Sequence, residues 1–350
     1  MSQFRSIRDL ADAPSAQSEG PDNFVLTIDK VPFNAGGLGT PAGQACLQHS
    51  ARQSSTMVRT TFQALTHHDH GLVGELHYPT DPRGPRAAIL VLGGSEGGLT
   101  GSAFMAQALA QEGYCALALA YFGAAGLPAE LVNIPLEYFE AALRFLRGHP
   151  GVAPRRIAAL GISKGGEAAL LLASRDRSVR TVIAGVPSNV SWQGVNRANF
   201  NDPSGSWTFA GKAVPFLPYD LSAPFVSVLD LYERSLLGLA AKPEAEISVE
   251  RINGPVVLVA GEDDTLWPSA SMCRSIEARL KAKGFGYSVE TLIYPDAGHG
   301  AFGPPVPAGH PYSQLDALGG SLAGNVAART DSWSRALDVL ASGLESDGPM

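Results

Sequence analysis

The chain has 350 residues, a formal net charge of -7 and 45% hydrophobic residues, enough apolar material for a sizeable buried core. That charge, with no block of Lys or Arg, argues against a nucleic-acid or anionic-membrane surface, which needs a basic patch. Cys46, Cys115 and Cys273 are too widely spaced for a zinc ligand pair, and neither a secretory apolar stretch nor a run of eighteen apolar residues occurs, so a cytoplasmic protein that spans no membrane is expected.

Residues 1–55, rich in Gly, Ser, Ala, Pro and Gln, read as an irregular arm with one strand-like run at Phe24–Ile28. One domain is expected from 56 to 350. It opens with two short strands, TTFQAL and GLVGELHYP, flanking the turn-rich HHDHG as a hairpin. His67, His68 and His70 in that spacer have no second ligand cluster to pair with and read as a solvated turn rather than a metal site. Apolar strands then alternate with amphipathic helices. AAILVL (87–92) is a strand, Ser102–Glu112 a helix and YCALALAY (114–121) a strand. Leu136–Arg147 is a helix with Leu136, Phe139, Leu143 and Leu146 on its apolar side. IAAL (157–160) is a strand that turns sharply into a helix from about Gly165 to Ala173. TVIAGV (181–186), PVVLVAG (255–261) and SVETLIY (288–294) continue the strands, and Asn325–Leu344 is a closing helix. The alternation predicts an α/β fold: a mostly parallel central sheet with helices on both faces. A long insertion, about 188–250, reads as a cap over a site or the lining of its pocket.

The chemistry is carried first by Gly161-Ile162-Ser163-Lys164-Gly165, a G-x-S-x-G sequence between a strand and an Ala/Leu-rich helix. A strained strand-to-helix turn lifts the Ser163 hydroxyl above the sheet, and the helix start beneath offers N–H donors to an oxyanion. A serine of ordinary acidity needs a base and an acid to orient the base, in the chain order Ser, Asp/Glu, His. Asp263 and Asp264 follow PVVLVAG and compete for the acid, with Asp264 preferred at three residues after Gly261. The two could instead cap the helix starting near Ser269. His299 in PDAGH follows SVETLIY and is the expected base, with His310 the rival. The glycine-rich loop Gly93–Gly98 supplies a second oxyanion donor, so the hole is assigned to the Ser95 or Glu96 amide together with Lys164. The loop lacks dinucleotide spacing, and no phosphate-binding G-x-x-x-x-G-K-[ST] occurs. No metal and no cofactor are expected.

The stretches LGGSEGG, LALAYFGAAGLP, LEYFEAALRFLRGHP, LGISKGGEAALLLAS, GPVVLVAGEDDTLWPS, YPDAGHG and GGSLAGNVAARTDSW, in that order over roughly residues 86–345, carry a resemblance. Together they resemble the C-terminal catalytic domain shared by acyl-CoA thioesterases and bile acid-CoA:amino acid N-acyltransferase, an α/β-hydrolase of dienelactone-hydrolase-like type. The resemblance implies Ser163 as nucleophile, Asp264 as acid and His299 as base. Two departures stand out. Family members carry an N-terminal immunoglobulin-like sandwich, for which the roughly eighty residues before the sheet are too few, and the acyltransferase has Cys where this chain has Ser163.

The expected function is hydrolysis of a small-molecule acyl thioester or activated ester through an acyl-Ser163 intermediate. Three alternatives stand beside it: an acyltransferase or cyclase using the same triad, a small-ester or lactone hydrolase of dienelactone type, and a non-catalytic binding module. Serine gives an oxyester, less readily aminolysed than a cysteine thioester, which favours water as acceptor. Lys164 and Glu167 read as an i, i+3 pair locking the helix start, or else as a contact for CoA. Trp192, Trp207, Phe209, Phe216 and Tyr219 either line an acyl pocket or fill the core of the cap. Homo-oligomerisation is left open.

Overall fold

The computed structural model describes residues 58–81, 83–306 and 314–345, all within the compact unit Ser54–Met350. The expected arm, with Phe24–Ile28 and Cys46, and the rival base His310 lie outside the described residues. The chain opens with β1 (Thr60–Leu65), the single turn α1 (His67–His70) and β2 (Val73–Pro79). β1 and β2 pair antiparallel from Thr60↔Pro79 to Leu65↔Gly74, so the expected hairpin forms. Its spacer is a turn of helix because Thr66 accepts from the Asp69 N–H and Gly71 closes the turn at a φ of 66°.

β3 (Arg86–Leu92), α2 (Thr100–Gln111), β4 (Cys115–Ala120), β5 (Ile134–Pro135), α3 (Leu136–Gly148), β6 (Val152–Ile162), α4 (Lys164–Ala173) and β7 (Val179–Gly185) follow. The insertion holds β8 (Trp207–Phe209), β9 (Lys212–Ala213) and α5 (Val228–Leu236). The chain then returns to the sheet as β10 (Val256–Gly261), α6 (Ser269–Ala282), β11 (Val289–Tyr294) and α7 (Leu322–Glu345). The large sheet runs β1-β2-β4-β3-β6-β7-β10-β11. β2 lies antiparallel to β4, and every neighbouring pair from β4 to β11 is parallel.

Both faces are covered. Ala88, Leu90 and Leu92 of β3 face a cluster with Phe139 and Leu143 of α3, Leu170 of α4 and Ile276 of α6. The alternate residues Ala87, Ile89 and Val91 face α2 and α7 through Leu109, Trp333 and Leu340. Strands buried on both sides read as unbroken apolar runs, which is why AAILVL and PVVLVAG are legible without alternation.

The insertion packs as a cap. β8 pairs with β5 and β9 to make a small three-stranded sheet, while Trp192 bridges to Leu217 and Val190 to Glu246. Its Val190, Trp192, Leu217, Tyr232 and Ala245 form a separate apolar cluster with Trp267 and with Met272 of α6. Trp192 and Trp207 are fully buried and belong to the packing, whereas Phe209, Phe216 and Tyr219 are half-buried.

Candidate active site

β6 ends at Ile162 and α4 begins at Lys164, so Ser163 alone makes the turn, with φ 57° and ψ -122°. A non-glycine residue rarely adopts that conformation, and it persists only where its surroundings over-determine it. They do so here. The Ser163 N–H donates to Gly185 O at 2.8 Å and its carbonyl accepts from the Glu167 N–H at 3.0 Å. A Cβ on Gly161 would stand 2.0 Å from Gly165 O, and one on Gly165 would stand 2.2 Å from Gly93 O. The two flanking glycines are therefore required by the crossing of β3, β6 and α4.

Asp264 and His299 are brought together. The Asp264 carboxylate, in the turn after β10, meets His299 Nδ1, in the turn after β11, with Oδ2 at 2.8 Å. That same Oδ2 accepts from Ser269 Oγ at 2.6 Å, while Oδ1 accepts from the N–H groups of Leu266 at 2.9 Å and Trp267 at 3.3 Å. Asp264 and His299 are both buried, and Asp263 is exposed. The carboxylate therefore organises the turn leading into α6 and holds the imidazole at once. The indole of Trp267 packs edge-on to the His299 ring, centroids 6.0 Å apart, and donates to Val186 O at 3.1 Å.

A third segment straps the two turns together. Leu318 O accepts from the N–H groups of Thr265 at 3.3 Å and His299 at 3.1 Å, while Gly319 bridges Asp264 and Gly320 bridges Ala297. Asn325 Oδ1 accepts from the Gly298 N–H at 3.0 Å. Buried Arg329 donates to the carbonyls of Gly300, Phe302 and Pro304, holding the chain beyond the histidine.

Opposite stands the loop after β3. The Gly94 N–H is taken by Glu96 Oε1 at 3.0 Å, and Tyr121 OH donates to Gly93 O at 2.7 Å. Burial raises the Tyr121 phenol well above its usual range, with the Glu96 and Glu167 carboxylates adding to the effect, so it stays a neutral donor. Ser95 O accepts from the guanidinium of Arg197, which reaches over from the cap. The Gly98 N–H is likewise engaged, donating to Phe122 O at 3.0 Å. Lys164, first in α4, has an N–H with no acceptor inside its helix.

The Lys164 and Glu167 side chains do form the expected i, i+3 pair, Nζ to Oε2 at 2.6 Å, and both are buried. Glu167 Oε1 also accepts from the Trp192 N–H at 3.1 Å and Trp207 Nε1 at 2.7 Å, and Lys164 Nζ donates to Ser206 Oγ at 2.8 Å. Burial pushes the Lys164 ammonium down in pKa, opposed by the adjacent carboxylate. Sequence reasoning had no route to Tyr121 or Ser206, whose partners lie in distant segments, and did not single out Ser269 or Trp267, which meet Asp264 within the turn into α6. For Leu318–Gly320 the glycine pair in GGSLAGN was the available signal. His67, His68 and His70 lie on α1, and among the described residues no group of three or more His, Cys, Asp or Glu is disposed to hold a metal.

A family model described as BAAT / acyl-CoA thioester hydrolase C terminal matches residues 134–346, more than half of the chain. The chain belongs to this family. This BAAT/acyl-CoA thioester hydrolase relative is 34% identical over 225 residues to acyl-coenzyme A thioesterase 2, mitochondrial, of Rattus norvegicus, covering 64% of this chain and 47% of the other. It is 31% identical over 265 residues to the peroxisomal succinyl-coenzyme A thioesterase of Mus musculus, covering 73% and 59%. The chain thus spans about half the length of the curated relatives it matches. Among solved structures, an α/β-hydrolase enzyme from a Medee basin deep-sea metagenome library aligns with TM-score 0.51 and 19% identity, covering 81% of this chain and 98% of the other. A dienelactone hydrolase-like promiscuous phosphotriesterase from metagenomic libraries aligns with TM-score 0.50 and 16% identity, covering 82% and 98%. The chain therefore shares the α/β-hydrolase fold of these solved structures. Among the described residues no helix is long and apolar enough to cross a membrane.

Proposed function

We propose that the protein hydrolyses acyl thioesters, with an acyl-CoA-like substrate, through a covalent acyl-Ser163 intermediate. The observation that carries the reading is the buried 2.8 Å contact of His299 Nδ1 with Asp264, located at the same carboxyl-terminal strand edge as the strained Ser163 turn. Membership of the thioester hydrolase family and the thioesterase names of its relatives support the choice of substrate class.

In this reading Asp264 fixes the proton of the imidazole on Nδ1, leaving Nε2 as the base. Nε2 takes the proton from Ser163 Oγ as the oxygen bonds to the thioester carbonyl carbon. The negative charge on the carbonyl oxygen is met by the Lys164 N–H and by an N–H of Ser95 or Glu96. Collapse of the tetrahedral intermediate breaks the carbon–sulfur bond, and the thiolate leaves with the proton held by His299. Water, deprotonated by His299, then attacks the acyl-serine, and the same proton passes to Ser163 Oγ as the acyl–oxygen bond breaks and the carboxylic acid leaves.

The test is mass spectrometry of the protein quenched during turnover of an acyl-CoA, with free thiol release followed in parallel. An acyl mass on the peptide bearing Ser163, together with thiol release, is the expected result. Acyl transfer to an added amine at the expense of free acid would move the reading to an acyltransferase, and acylation at another residue would overturn it.

A further inference from the structure

We propose that the buried Lys164–Glu167 pair is the positioning device that seats the insertion on the nucleophile turn and thereby holds the Lys164 N–H in place as an oxyanion donor. This rests on the reading of Ser163 as nucleophile. A pair needed only to lock the start of a helix works from the surface, where neither charge is stripped of water. Burying both charges is costly unless the remaining hydrogen-bonding capacity of each is filled, so the identity of the groups that fill it is informative. Here they come from one place. Glu167 Oε1 receives the Trp192 N–H and Trp207 Nε1, and Lys164 Nζ reaches Ser206 Oγ, with the Trp207 ring 5.5 Å from the ammonium. Ser206 Oγ accepts that bond while contacting the carbonyls of Trp192 and Gln193 at 3.0 and 3.2 Å. Trp192, Ser206 and Trp207 all belong to the insertion.

The backbones of the same two residues face the nucleophile. Lys164 carries the free first N–H of α4, and the Glu167 N–H holds Ser163 O at 3.0 Å. One helical turn thus grips the cap with its side chains and the elbow with its main chain. An apolar pair of equal volume would fill the space but would not orient donors from two separate stretches of the insertion.

The experiment uses the full chain and a fluorophosphonate, whose labelling rate reads serine attack and oxyanion support together. Hydrogen exchange followed by mass spectrometry is recorded over 190–207 and over β6 and β7. Per folded molecule, Glu167→Met is expected to slow labelling at least about tenfold and to raise exchange in 190–207 with the strands unchanged, and Glu167→Gln, whose amide oxygen still accepts from both tryptophan donors while its NH₂ faces the Lys164 ammonium, gives intermediate values of both. Where Glu167→Met fails to fold, Ser206→Ala and Trp207→Phe decide. Each removes one hydrogen bond to the pair, and each is expected to slow labelling roughly three- to tenfold. A purely stabilising pair would lower the melting temperature and leave the labelling rate of folded molecules within about twofold of the parent, and that result overturns the proposal. A parent chain that takes no label at all overturns the Ser163 reading, and the proposal with it.

Discussion

Replacing Asp264 by Asn is a sharp perturbation because the surroundings dictate how the amide sits. The Leu266 and Trp267 N–H groups both point at Oδ1, so the amide oxygen must take that position and the NH₂ group must face Ser269 Oγ and His299 Nδ1. An NH₂ donor there forces Nδ1 to accept, which leaves the proton on Nε2, the nitrogen that receives the serine proton in the proposed mechanism. The expected loss in kcat is about 10³- to 10⁴-fold, or roughly 4 to 5.5 kcal/mol of transition-state stabilisation. Folding should suffer far less. The turn keeps its hydrogen bonds and loses only their charge assistance, a cost on the order of 1 kcal/mol. Fluorophosphonate labelling rate and thioester turnover, measured beside the thermal melting temperature, separate the two effects. Asp263→Asn is the control, because that side chain is exposed. An Asp264→Asn enzyme within about tenfold of the parent, with the fold intact, would refute the claim that this carboxylate sets the tautomer.

Ser163→Gly should abolish labelling while relieving the positive φ, raising stability by about 1 kcal/mol relative to Ser163→Ala; a less stable glycine variant would contradict the strain assigned to the turn. Gly165→Ala, with Gly93 O 2.2 Å from the new methyl, should yield little soluble protein or a melting temperature lower by many degrees, and normal expression would show that the crossing can relax. Ser269→Ala leaves the Asp264–His299 contact in place but removes a hydroxyl at 2.6 Å from the shared oxygen, and turnover should fall by roughly a factor of ten with melting little changed. Burial raises the pKa of the Cys115 and Cys273 thiols, so iodoacetamide should alkylate them only after unfolding; rapid native modification of either would contradict their packing.

The strands of the parallel sheet were legible because burial on both faces writes them as unbroken apolar runs. The Ser163 turn was legible because Gly161 and Gly165 are forced by backbone crossings only a methyl group too close. Asp264 is preferred to Asp263 by counting from Gly261; Asp264 is buried against His299 Nδ1 and Asp263 is exposed. The cap was visible as a long insertion rich in aromatic residues, but its internal packing was not. Whether Trp192 and Trp207 were wall or filling depends on a carboxylate in α4 that receives both of them, and no local pattern encodes that. The strap at Leu318–Gly320 escaped for a related reason: its contacts go to backbone groups nineteen (Leu318 to His299) to fifty-five (Gly319 to Asp264) residues upstream, which any sequence could supply.

That strap also sets a timetable. A ribosome reaches Ser163 long before it reaches Leu318, 155 residues later by subtraction, an interval of roughly ten to thirty seconds at ordinary elongation rates. Until Leu318, Gly319 and Gly320 emerge, the turns bearing Asp264 and His299 lack the segment that fixes their spacing. In the proposed mechanism, a nascent chain that already carries Ser163 therefore has no base held in place until this last segment has been made.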